Sequence, residues 1–129
     1  MNNDNYIFTC LDYNLNHNWN FLNSLNDIEK KKTEFLVNPI CKPGCAERKE
    51  HYRLNSLFSL SYGKKYNLKH CNITENSTCP VFNTAHITPE EIYNKYLKEN
   101  FNYFKIEGRT WPSQELAIVI SDYLIKPEF

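Results

Sequence analysis

The chain has 129 residues, fifteen Lys+Arg against fifteen Asp+Glu, and a formal net charge of zero. That length suits one domain of residues 1–129, and the charge balance argues against a nucleic-acid binder driven by overall basicity. No run approaches the ~18 apolar residues of a membrane span, and residues 1–5 lack the basic and apolar regions of a secretory signal. A cytoplasmic protein with no membrane partner is therefore expected.

Residues 6–11 (Tyr-Ile-Phe-Thr-Cys-Leu) are short and rich in strand formers, which predicts a buried strand. Asp12 and Asn14 follow as candidate helix caps. Leu15, Trp19, Leu22 and Leu25 repeat at helical spacing and predict a helix over 15–25. Residues 29–32 read as a charged turn, and 33–38 as a second strand ended by Pro39. Residues 39–45 form a loop with a Pro43-Gly44 turn signal. A helix over 46–62 follows, with Leu54, Leu57, Phe58 and Ser61 on one face and Gly63 as its stop.

Residues 64–87 give no regular pattern, and an irregular loop of this length suggests a functional or partly disordered segment. Thr88-Pro89-Glu90-Glu91 predicts a helix start, with Thr88 as cap, Pro89 at the first helical position and Glu91 closing a capping box. Ile92, Tyr93, Tyr96 and Leu97 form its apolar face. Residues 101–107 predict a third strand, Phe104 and Ile106 alternating with Lys105 and Glu107. Ser113 can cap a last helix, which Pro127 stops. The order is β-α-β-α-loop-α-β-α, an α/β chain whose strands pair in parallel. Three such strands cannot close a barrel by themselves, and they leave open edges.

Cys10, Cys41, Cys45, Cys71 and Cys79 are an odd number, and a reducing compartment disfavours a disulfide framework. A metal or cluster site, a reactive thiol and buried apolar cysteines are the readings left open. His51 lies four residues after Glu47 on the helix that also carries Arg48 and Tyr52. It is either a general base or metal ligand held by Glu47, or a helix side contact. Glu107 and Arg109 sit at the end of a strand, where barrel folds place their chemistry, and are candidates for a vestigial site or for a plain ion pair. Lys64, Lys65, Lys69 and His70 beside Tyr62 and Tyr66 could meet phosphates and bases, or form a solvated loop. There is no Gly-rich phosphate loop and no Gly-x-Ser-x-Gly elbow.

Three segments carry a resemblance. The run Val37-Asn38-Pro39-Ile40-Cys41-Lys42-Pro43-Gly44-Cys45-Ala46-Glu47-Arg48 with His51-Tyr52, the run Phe104-Lys105-Ile106-Glu107-Gly108-Arg109, and Tyr123-Leu124-Ile125-Lys126-Pro127-Glu128 together resemble the collagenase-like peptidase superfamily of radical-SAM-like β/α barrels. The resemblance implies the C-terminal half of a parallel β/α barrel without its upstream strands. It also implies a place for an iron–sulfur cluster or zinc, with Cys41 and Cys45 at the paired positions and Cys71 and Cys79 as further ligands; such clusters take about four thiolates. The C-x3-C and C-x7-C spacings match neither a ferredoxin nor a true radical-SAM pattern, which excludes SAM chemistry. A fragment of this kind is similar to one type of small inhibitor, an anti-CRISPR protein of phage origin that blocks RNA-guided, RNA-cleaving (type VI) effectors. The resulting expectation is a non-catalytic binding or inhibitor protein with no cofactor, whose partner is a protein or ribonucleoprotein and whose open sheet edge could join copies of itself. The alternative is an iron–sulfur or zinc-binding accessory protein.

Overall fold

The fold is organised by Phe35 on the central strand. A computed structural model describes residues 6–61, 83–108 and 112–124. Its strands are β1 (Thr9–Cys10), β2 (Thr33–Leu36) and β3 (Tyr103–Lys105), and its helices α1 (Trp19–Ser24), α2 (Asp27–Lys32), α3 (Arg48–Leu60), α4 and α5 (Ser113–Leu124). Helix α4 starts as Pro89–Glu91 and runs on through a π-helical stretch, Ile92–Tyr96, and a 3-10 turn, Leu97–Glu99. The strands lie side by side in the order β1-β2-β3, all parallel, with Cys10 opposite Glu34 and Glu34 opposite Tyr103. The molecule is thus α/β with a small open parallel sheet, as the alternation of strand and helix patterns implies.

Side chains alternate across a pleated strand, so one face of β2 carries Thr33, Phe35 and Val37, and all three are buried. Rings converge on Phe35: Tyr96 and Phe101 meet it edge-on, each 5.1 Å away, and Phe104 stacks at 5.9 Å. Leu11, Leu22, Leu25, Ile87 and Ile92 complete this core, with Trp19 and Tyr123 packed against it. Helix α4 starts as its sequence dictates: Thr88 and Glu91 form a reciprocal capping box with Pro89 in the first turn. The π-helical stretch and the left-handed Asn100 (φ 66°) that ends the helix turn Ile92 and Tyr96 onto the sheet, and the Tyr96 carbonyl accepts the Phe101 N–H.

Three expectations are corrected. Residues 29–32 belong to helix α2 rather than to a turn; Asn26 and Glu29 cap one end reciprocally, and Lys30, Lys31 and Lys32 fall at the other, where the helix dipole favours cations. The helix expected over 15–25 is a 3-10 turn, Tyr13–Leu15, followed by the short α1. The first strand is two residues long, and Tyr6 and Ile7 are exposed. At the end of the expected irregular loop, Asn83, Ala85, His86 and Ile87 are buried, while Thr84 is exposed. Gly44 has φ +67°, as the turn there requires. No helix of the described residues is long and apolar enough to cross a membrane.

Candidate functional site at the carboxyl ends of the strands

Buried asparagines fix the loops that follow the strands. Beyond β2 and β3 the ladder is replaced by Asn38, whose Nδ2 donates to the Glu107 carbonyl (2.9 Å) and whose Oδ1 accepts the Glu107 N–H (2.7 Å). The Glu107 carboxylate then accepts the Ile40 N–H at 3.2 Å. Asn83 donates to the carbonyls of Pro39 and Cys41 (2.6 and 3.3 Å), and Asn16 to those of Leu36 and Ala85 (2.9 and 2.7 Å). Each supplies donors to loop carbonyls that the strand ladder does not pair.

Over this platform stands α3. Its first residue, Arg48, places Nη1 2.9 and 2.8 Å from the two oxygens of Asp12. The guanidinium lies over the Tyr13 ring at 4.2 Å and within 5.7 Å of the Tyr52 ring. Partial burial works against the Asp12 carboxylate, but the Arg48 and Asn14 N–H groups outweigh it and hold its pKa below the ordinary range. Two adjoining concavities of about 840 and 310 Å³ share Tyr13, Ile40, Arg48, Tyr52, Asn55 and Glu107 in their walls. Lys105 lines the larger, with its ammonium 3.9 Å from Glu34; Cys41 and His51 line the smaller.

The Cys41 and Cys45 thiols are neighbours across the turn that Gly44 makes. Burial pushes the Cys41 pKa up, and Cys45 adds to this against the opposing Tyr13 hydroxyl, so Cys41 is a neutral thiol rather than a thiolate. The Tyr13 hydroxyl is buried against this thiol without a hydrogen bond of full geometry. Burial, then Cys41, raises its pKa well above the ordinary tyrosine range.

Of the residues singled out from the sequence, Cys41, Cys45, His51 and Glu107 therefore gather at one end of the sheet. Arg109, Cys71 and Cys79 lie outside the described residues, as does the Lys64–His70 group of basic residues. No set of three or more metal-ligating side chains occurs among the described residues. The sequence reading passed over Tyr13, and took Asp12 only as a cap; Asp12 does accept the Asn14 N–H at 2.9 Å, but it also anchors α3. The signal that could have found the pair is chemical: an acid just after one strand and an Arg opening the helix after the next meet where parallel strands end. No family model, curated protein or solved structure matches the chain.

Proposed function

We propose that the chain is a non-catalytic binding protein on an open, barrel-like parallel β/α scaffold, with α3 as its docking element. The observation that carries this is the state of α3: a thirteen-residue helix with no fully buried residue, Leu54 and Leu57 being half-buried, that leaves Tyr52, Phe58 and Leu60 exposed. An isolated helix of that length is marginal in water, and exposed aromatic and aliphatic residues on a held helix suit a groove on a protein partner. The groups beneath it are already engaged, Arg48 by Asp12 and Glu107 by the Ile40 N–H, which supports a structural rather than a chemical role. The parallel order β1-β2-β3 with core helices on one side supports the half-barrel reading.

The resemblance of the Val37, Phe104 and Tyr123 segments directs the partner expectation to an RNA-guided type VI effector, and so to an anti-CRISPR inhibitor acting in the cytoplasm. A pull-down with such an effector tests this. Wild-type protein is expected to form a complex, and the Tyr52→Ser, Phe58→Ser, Leu60→Ser variant to lose it with unchanged helicity. No complex with the wild type would remove the proposal.

The contact between the Cys41 and Cys45 thiols favours one second reading, an iron–sulfur or zinc accessory protein in which Cys71 and Cys79 supply the remaining ligands. Protein purified without oxygen would then contain stoichiometric metal, lost in Cys41→Ala; metal-free protein would end that reading.

A further inference from the structure

The sheet has a second face. The register sets Cys10, Glu34 and Tyr103 in one row and Leu36 and Lys105 in the next, pointing away from the core. Phe8 leans against Tyr103 with ring centroids 4.3 Å apart, and both rings are exposed, as is Cys10. Among the described residues the core cluster lies on the opposite face, while α3 stands beyond the strand ends and shares an open concavity with Cys10, Leu36 and Lys105. Parallel sheets are ordinarily covered on both faces. A face that no helix of the described residues covers, with two aromatic rings on it, calls for an occupant.

We propose that this face joins two copies of the chain in a two-fold dimer. The argument is charge complementarity. The face carries one anion, Glu34, and one cation, Lys105, 3.9 Å apart, with half of the Lys105 side chain in solvent. A two-fold axis puts the same patch on both partners, so Lys105 of each copy can face Glu34 of the other while the Phe8–Tyr103 rings meet between them. A face of one sign would repel its own copy; this one is complementary to itself. The chain's net charge of zero leaves no long-range repulsion between copies. This goes beyond the docking of a partner on α3, whose Phe58 and Leu60 lie outside the concavity that Tyr52 shares with Cys10, Leu36 and Lys105.

Sedimentation velocity over a range of concentrations tests it, with circular dichroism as the check on folding. Wild-type protein is expected to sediment as a dimer. Lys105→Glu and Glu34→Lys are each expected to weaken dimerisation by about tenfold or more, as like charges then face each other. An equimolar mixture of the two variants restores association, because each anion again meets a cation on the other chain. That rescue is intermolecular, and loss of the pair within one chain cannot produce it. A monomeric wild type, a dimer indifferent to both reversals, or a mixture that fails to associate would overturn the proposal. A monomer in which Cys10 resists thiol reagents would likewise overturn it, and would assign the cover to another segment of the same chain.

Discussion

One nitrogen of Arg48, Nη1, contacts both carboxylate oxygens of Asp12, at 2.8 and 2.9 Å, while the guanidinium lies over the ring of Tyr13. This joins Asp12, the second residue after β1, and its neighbour Tyr13 to the first turn of α3, thirty-six positions along the chain from Asp12. It is a polar link that holds the first turn of the helix over the strand ends.

Asp12→Asn is expected to loosen α3 more than it destabilises the fold. Asp12 is about half-exposed, so the ion pair contributes on the order of 0.5–1 kcal/mol. Hydrogen exchange measures the difference: amides of residues 52–60 should exchange faster, and those of β2 at the wild-type rate. The Asp12 pKa is lowered in the fold, so its contribution is complete above the ordinary value of 3.8 and disappears as pH falls through the lower one. The same loosening should therefore occur in wild-type protein in strong acid. Equal acceleration in α3 and β2 would contradict the anchoring role.

Two tyrosines buried in different ways should respond unequally to loss of the hydroxyl. Tyr96 donates to the Asn16 carbonyl at 2.6 Å, and Tyr96→Phe leaves that buried carbonyl short of a partner, at a cost of about 1–2 kcal/mol. Tyr13 has no such partner, so Tyr13→Phe is expected to change stability by less than about 0.5 kcal/mol. Urea midpoints of the two variants check this, and equal losses would contradict it.

His86 gives the fold a pH dependence near neutrality. Its Nε2 meets the Pro39 carbonyl at 3.0 Å, while Nδ1 is buried without a partner, so a proton there would be an unpaired buried donor. Burial lowers the pKa, against the opposing Pro39 carbonyl. The unfolded chain then binds the proton more readily than the fold. Stability is complete above the ordinary value of 6.5 and declines as pH falls below it, down to the lower folded value. Denaturant midpoints at successive pH values should show this decline, and His86→Gln should flatten it. An unchanged slope in the variant would locate the effect elsewhere.

Local signals in this sequence were legible, and long-range ones were not. Thr88, Pro89 and Glu91 specify a helix start within four residues, and the alternation of Phe104 and Ile106 with Lys105 marks β3 without reference to the rest of the chain. The run Glu29-Lys30-Lys31-Lys32 reads as a turn because its charges hide the capping box that Asn26 makes with Glu29. Asn83 and His86 look like loop residues, and Asn16 like a polar position of the helix expected over 15–25, because their partners, the carbonyls of Leu36, Ala85, Pro39 and Cys41, are brought near by the fold alone. The convergence of Cys41, His51 and Glu107 was legible in part, since strand ends share one edge of a parallel sheet. Tyr13 was not, because its place depends on where Arg48 lands.

Titration of a type VI effector with this protein, followed by RNA cleavage, tests most directly whether it acts by docking rather than by turnover. Docking predicts that inhibition rises in proportion to added protein and saturates near stoichiometric addition, with activity recovered when the complex is dissociated. Inactivation by amounts far below that of the effector, or cleavage unaffected at excess, would contradict it.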